Sequence, residues 1–257
     1  TVIWTVTDTS GNTATDTQLV TVEDKISPEI IAPGKLSVNA DPGTCSATGV
    51  NLGTPATSDN CGVSVVDNDA PDSFPIGTTT VIWTVIDNSG NTTTASQKVI
   101  VNDVEAPVIY ITEDIEISAD SNACTASSYN HGPHSATDNC GTVSLENNAP
   151  ALFPIGTTTV TWTATDEAGN TTIATQKVTV EDTQPPIISA PEDLLVNADP
   201  SKCTASGVNL GTPSTSDNCQ GATVIHNAPA TFPLGSTTVI WTITDASGNT
   251  ATAEQLV

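Results

Sequence analysis

Arginine and methionine are absent from this 257-residue chain, and its five basic residues, all lysine, face 29 acidic ones, for a formal charge of −24. Without cation clusters the chain cannot neutralise phosphates, which excludes nucleic acid as a partner and disfavours anionic lipid surfaces. Aromatic residues make up only 4% of the chain, too few for stacking platforms. No apolar run reaches the roughly 18 residues that a membrane-spanning helix needs, so no span is expected. A Gly-x-Ser-x-Gly elbow, a phosphate loop and a Cys/His couple are all missing, so an enzyme is not expected. His131, His134 and His226 fall at non-equivalent places and read as exposed side chains, with His131 and His134 a weak metal-pair alternative.

What the chain does contain is a repeat. Trp4, Trp83, Trp162 and Trp241 are 79 residues apart, as are Cys45, Cys124 and Cys203, and Cys61, Cys140 and Cys219. Asp24, Asp103 and Asp182 keep the same step without insertion or deletion. That period exceeds the roughly 50 residues of solenoid repeats and suits a small domain in tandem. Boundaries are expected where strand pattern gives way to acid and proline. This divides the chain into a C-terminal hairpin at 1–24, complete units at 25–103 and 104–182, and a unit at 183–257 lacking its last residues. Thr1 and Val257 fall inside strand patterns, so the sequence is expected to be a window from a longer array.

Within residues 25–103, Val81, Trp83 and Val85 alternate with Ile82, Thr84 and Ile86, the period of a strand with tryptophan on its core face. Asp87-Asn88-Ser89-Gly90-Asn91 reads as a turn, and Thr94 to Val101 as the returning strand. Leu36–Asn39, Ala47–Leu52 and Val63–Val66 are further strands. No helical period is present. The fold class expected is all-β: tandem immunoglobulin-like sandwiches of about seven strands, arranged as an extended rod. So thin a core needs a staple. Cys45 and Cys61 are the only cysteines of their unit, so a disulfide within each unit is expected, pairing Cys45 with Cys61, Cys124 with Cys140 and Cys203 with Cys219. A two-thiolate metal site is the weaker alternative. Persistent disulfides imply an extracellular, cell-surface location.

Three motifs recur in order: Asp59-Asn60-Cys61, Phe74-Pro75-Ile76-Gly77 and Asp87-Asn88-Ser89-Gly90-Asn91, then Asp138-Asn139-Cys140, Phe153-Pro154-Ile155-Gly156 and Asp166-Glu167-Ala168-Gly169-Asn170. Asp217-Asn218-Cys219, Phe232-Pro233-Leu234-Gly235 and Asp245-Ala246-Ser247-Gly248-Asn249 complete the set. The pattern resembles the HYR (hyalin repeat) domain, an immunoglobulin-like extracellular module, over the whole chain. The resemblance implies adhesion and extracellular spacing: the stalk or filament of a cell-surface adhesin, carrying any glycan or protein ligand at a tip outside this window. Two cysteines per unit look like the arrays of bacterial, Bacteroidota-type, surface adhesins. The alternative is a glycan- or protein-binding module acting through multivalency.

Calcium is the one ligand the residues suggest. The linker acids Asp24, Asp103 and Asp182 are expected to meet the hairpin turns of the following unit, at Asp87 and Asn91, Asp166 and Asn170, and Asp245 and Asn249. Carboxylate and amide oxygens in loops suit a cation that takes six to eight oxygen ligands. The same turns are also explained without metal, because aspartate at a turn start accepts backbone N–H bonds. Asp59, Asn60 and Asp41 form a second, weaker cluster read as turn formers. The expected partners are otherwise neighbouring repeats of the same chain.

Overall fold

The computed structural model describes residues 1–127, 129–130 and 132–257. Among them there is no helix; every regular element is a strand.

Strands β1 (Val2–Thr7) and β2 (Thr13–Gln18) form an isolated antiparallel hairpin whose side chains are all exposed. The next repeat contains β3 (Glu29–Ile31), β4 (Leu36–Asn39), β5 (Ser46–Thr48), β6 (Ala56–Ser58), β7 (Val63–Asn68), β8 (Ser73–Pro75), β9 (Gly77–Asp87) and β10 (Thr92–Asn102). Its main sheet has the order β4-β10-β9-β7, with β4 parallel to β10 and the other pairs antiparallel. Two short pairs, β3–β6 and β5–β8, make the opposing layer.

Period two decides the core. Val81, Trp83 and Val85 of β9 and Val99 and Val101 of β10 are buried, while Ile82 and Lys98 face outward. Phe74 of β8 and Ala47 of β5 close over them from the other layer. Gly77 follows Phe74-Pro75-Ile76 with φ of +98°, a left-handed backbone that a side chain would strain, and it turns the chain from β8 into β9.

The second repeat repeats this plan with β11 (Val108–Tyr110), β12 (Ile115–Ser118), β13 (Thr125–Ala126), β14 (Ser135–Thr137), β15 (Ser144–Asn147), β16 (Phe153–Pro154), β17 (Gly156–Thr165) and β18 (Thr171–Glu181). Its main sheet is β12-β18-β17-β15, over a core of Phe153, Val160, Trp162, Val178 and Val180. The third repeat has β19 (Ile187–Ser189), β20 (Thr204–Ser206), β21 (Ser214–Ser216), β22 (Thr223–His226), β23 (Thr231–Pro233), β24 (Thr238–Thr244) and β25 (Thr250–Leu256), with the sheet β22-β24-β25. It has no counterpart of β4. The register that pairs Leu36–Asn39 with Val99–Asn102 would set Leu194 opposite Val257 and carry residues 195–197 past it. Leu194 alone keeps the ladder, donating its N–H to Leu256 O at 2.8 Å.

The architecture is therefore all-β, a tandem of two-layer sandwich domains, as the alternation predicts. Among the described residues, each repeat with a complete main sheet has eight strands, against the about seven expected. The chain forms two compact units, residues 1–105 with 139–141 and 167–170, and the remainder.

One device inside each core escaped the sequence reading. Gln97 is buried, accepts the Trp83 indole N–H at 3.0 Å, and donates to Gly34 O and Leu52 O at 3.0 Å each. Gln255 does the same with Trp241, Glu192 O and Leu210 O. Gln176 accepts from the Tyr129 hydroxyl and donates to Thr112 Oγ1 at 2.9 Å and Glu113 O at 3.1 Å. The amides of Gln97 and Gln255 satisfy carbonyls of two loops that no strand covers, and that of Gln176 serves one such loop.

The disulfides differ from the expectation. Cys45 pairs with Cys140 and Cys124 with Cys219, each across 95 residues, with Cα atoms 5.2 and 5.0 Å apart. Cys61 and Cys203 are free and exposed. The intra-repeat pairs Cys45–Cys61, Cys124–Cys140 and Cys203–Cys219 do not form, because the two cysteines of a repeat lie at opposite poles. The loop of Cys45 lies beside the linker that follows its repeat, where Gly43 N–H donates to Glu105 Oε2 at 2.8 Å. The loop of Cys61 lies beside the linker that precedes it, where Asn60 Nδ2 donates to Asp24 Oδ1 at 3.3 Å. Strand β10, with 11 residues, separates these poles by roughly 35 Å, against the 4–7 Å between Cα atoms that a disulfide requires.

A candidate metal centre at the repeat junctions

Three short segments meet where the second repeat gives way to the third. The linker brings Asp182, directly after β18. Its Oδ1 accepts from Gln184 N at 3.1 Å and from Asn218 Nδ2 at 3.0 Å, and its backbone carbonyl accepts from Asn249 Nδ2 at 3.0 Å. The Asp-Asn-Cys loop brings Asp217, whose Oδ2 accepts from Cys219 N at 3.0 Å. Asn218 also reaches back to Ala123 O at 3.1 Å, beside the Cys124–Cys219 bridge. The β24–β25 turn brings Asp245, which accepts from Ser247 N, Asn249 N and Asn249 Nδ2 at 2.7–2.9 Å.

One carboxylate oxygen from each of Asp182, Asp217 and Asp245 lies within 4.8 Å of the other two. Asp182 and Asp245 are buried, each 6% exposed. Asp182 Oδ2 and Asp217 Oδ1 are buried oxygens without a hydrogen-bond partner.

The first compact unit repeats the arrangement. Asp24 Oδ1 accepts from Ile26 N at 3.0 Å and from Asn60 Nδ2, and Asp59 Oδ2 accepts from Cys61 N at 2.8 Å. Asp87 accepts from Ser89 N and Asn91 N at 2.8 Å and from Asn91 Nδ2 at 2.7 Å. Asp24, Asp59 and Asp87 again offer oxygens within 4.8 Å, and Asp24 Oδ2 and Asp59 Oδ1 are again without a partner.

Burial pushes the carboxyls of Asp87 and Asp245 upward, but the bonds from Asn91 and Asn249 and from the turn N–H groups outweigh it, holding both below the ordinary value of 3.8. For Asp24 the Ile26 N–H acts first and Asn60 second, in the same downward direction. The Cys61 thiol is raised by its bond to Asp24, by burial and by the surrounding carboxylates.

The linker acids Asp24 and Asp182 thus meet the hairpin turns of the following repeat at Asp87 with Asn91 and at Asp245 with Asn249. Asn170 Nδ2 likewise donates to Asp103 O at 3.4 Å; Asp166 is buried. Asn91 and Asn249 donate through their amide nitrogens to linker carbonyls and turn carboxylates. Asp59, expected in a separate cluster of turn formers, belongs with the linker acid Asp24, and Asp217 with Asp182. Sequence spacing alone could not show this, since the two segments are 35 residues apart. Asp41 is a loop former: Thr48 N and Oγ1 donate to its Oδ2 at 2.9 and 2.7 Å. His226 and His134 pack against Trp241 and Trp162, with ring centroids 4.9 and 4.8 Å apart. His131, the other half of the weak metal pair, lies outside the described residues. Asn91 spends its amide nitrogen on Asp24 O, Ile26 O and Asp87.

Tandem β-sandwiches at a fixed 79-residue step, with acidic junctions and disulfides running from one repeat to the next, define a class of modular repeat proteins. The HYR domain profile matches residues 23–101, 102–180 and 181–257, so the chain belongs to the HYR domain family. Among curated proteins it is 34% identical to hyalin of Lytechinus variegatus over 270 residues, covering 96% of this chain and 49% of that protein. It is 30% identical to hyalin of Strongylocentrotus purpuratus over 266 residues, covering 97% of this chain and 22% of that one. The chain thus spans half or less of the length of these relatives. They are animal proteins, and the likeness to bacterial surface adhesins finds no support among them. Drosophila N-cadherin EC1–4 aligns over 92% of this chain and 76% of its own, at 12% identity and a TM-score of 0.37, a likeness too distant to carry argument. Among the described residues no helix is long and apolar enough to cross a membrane.

Proposed function

We propose that the chain is a non-enzymatic, load-bearing segment of an extracellular adhesion protein, a stalk or filament whose successive HYR repeats are locked to one another covalently. The observation that carries this reading is the overlap of the two bridges. Cys45–Cys140 and Cys124–Cys219 interlock, because Cys124 precedes Cys140. Under tension the covalent path between residues 45 and 219 runs through both disulfides and only the 16 residues from Cys124 to Cys140. The central repeat lies almost wholly outside the line of force. A disulfide within each repeat would protect only its own loop. Such bridges persist only in an oxidising compartment, which supports an extracellular place. The indole rings of Trp83, Trp162 and Trp241 are buried, so they offer no stacking platform to a glycan.

Single-molecule pulling on the whole chain tests this. With the bridges intact, residues 45–219 contribute no more than the 16-residue segment to the extension. Reduction is expected to add about 500–600 Å, from about 3.5 Å for each released residue. Equal extension before and after reduction would overturn the reading.

A further inference from the structure

We propose that Asp182, Asp217 and Asp245 form a calcium site that clamps the end of one repeat to the two loops of the next, and that Asp24, Asp59 and Asp87 form its counterpart in the other compact unit. Three carboxylate oxygens lie within 4.8 Å of one another. Charges this close repel strongly once water is excluded. No arginine exists to balance them. Of the described lysines, Lys202 pairs with Asp199 and Lys25 with Glu23.

The cluster alone would be unremarked were it not for a second feature. Asp182 is more than nine-tenths buried, yet its Oδ2 has no donor, and the buried Asp217 Oδ1 has none either. An ionised oxygen out of water and without a partner is costly, and native structures rarely leave one so. Where the sequence register repeats, Asp24 Oδ2 and Asp59 Oδ1 are likewise buried oxygens without a hydrogen-bond donor at normal geometry, although both residues are only half-buried and the free Cys61 thiol lies beside Asp24. A proton shared among the three carboxylates would neutralise one charge. A divalent ion neutralises two and gives both orphaned oxygens a partner at once.

The donor set selects the ion. Around Asp182 every available atom is a hard oxygen, since the nearby sulfur of Cys219 is sealed in its bridge. Hard oxygen donors on three separate loops suit calcium, which tolerates irregular geometry, better than zinc, which seeks sulfur and nitrogen. Asp245 keeps its turn bonds and serves as the third, weaker ligand. Asp182 and Asp217, each with one uncommitted oxygen, are the principal ones.

The test uses the full oxidised chain after chelation, with calcium chloride as the titrant. Calorimetry is expected to show saturable binding, and saturating calcium to raise the melting temperature by roughly 5–10 °C. Asp182→Asn and Asp217→Asn, which preserve shape and an accepting oxygen, are each expected to remove one site's share of the heat and of the shift, while Asp59→Asn removes the counterpart's. If either variant fails to fold, displacement by calcium of terbium bound to the unaltered chain, followed by luminescence, reads the same site. Absence of saturable heat with calcium at millimolar concentration would overturn the proposal. So would binding unchanged in both Asp182→Asn and Asp217→Asn, or stabilisation by acid with no response to calcium, the mark of a shared proton. None of these outcomes touches the disulfide map, so the load-bearing reading stands or falls separately.

Discussion

Gln255 shows how a polar residue can hold an apolar core together. Its amide links the Trp241 indole to carbonyls on two loops that lack strand partners. Gln255→Leu would keep the volume and strand both carbonyls and the indole N–H. Each buried group left unpaired costs about 1–3 kcal/mol, so urea unfolding of the third repeat is expected to lose about 2–4 kcal/mol. Asp199 illustrates a surface counterpart. Ser206 donates to it through its hydroxyl at 2.7 Å and its N–H at 3.4 Å, fixing the loop that presents Cys203. The Ser206 hydroxyl leads in lowering the Asp199 carboxyl from 3.8, followed by the Ser206 N–H, burial opposing them, and Lys202 adding to the fall. Asp120 is lowered likewise by Ser127, first through its hydroxyl. A carboxyl lowered on folding stabilises the fold above its unfolded value. That stability is lost as pH falls from about 4 through the lower folded value. NMR titration of the Asp199 carboxyl is expected to find its midpoint below 3.8 and to see it return toward 3.8 in Ser206→Ala.

The long hairpin β9–β10 fixes what the short strands can do. Its tip, Asp87 to Asn91, is fully hydrogen-bonded, with Gly90 at φ +91° turning the chain. That tip seats against the Cys61 loop through Asn88, which donates to Cys61 O at 2.8 Å and to Gly62 O at 3.1 Å. The opposite end of the hairpin carries the Cys45 loop, where Ile76 N–H donates to Cys45 O at 3.1 Å. The hairpin is therefore a spacer that presents one cysteine at each pole. Cys61 occupies the place of Cys140 and Cys219, and Cys203 that of Cys45 and Cys124; a partner 95 residues away from either falls outside residues 1–257. Thiol counting on the folded, unreduced chain with a maleimide is expected to give two free thiols, at Cys61 and Cys203. Pairing within repeats would give none.

Across the molecule, the bridges close loops far longer than a staple inside one repeat would. The chain-entropy account gives about 3 kcal/mol for a loop of about 16 residues and about 4–5 kcal/mol for one of about 95. Replacing Cys124 and Cys219 together by serine is expected to lower the stability of the second compact unit by about 3–5 kcal/mol, read by denaturant unfolding of the otherwise oxidised chain. Replacement of Cys203 by serine should cost little, since it is unpaired.

The amino-acid sequence determined the 79-residue step, the all-β class, the buried face of every long strand and the family. These are properties of local alternation and of spacing along one chain, and Val81, Trp83 and Val85 state them without help. The three-residue strands Glu29–Ile31 and Ala56–Ser58 were not legible, because pieces that short, flanked by proline, carry no period of their own. Residues 50–52 read as strand yet lie outside one, because Leu52 O is taken by Gln97 instead of a neighbouring ladder. The glutamine clasp itself was visible only as a polar residue recurring at the common step. Tertiary structure alone decided the cysteine pairing and the union of Asp182 with Asp217. Both depend on which loops share a pole of the sandwich, and a hairpin about 35 Å long sends residues close in sequence to opposite ends while bringing those 95 apart within bonding distance.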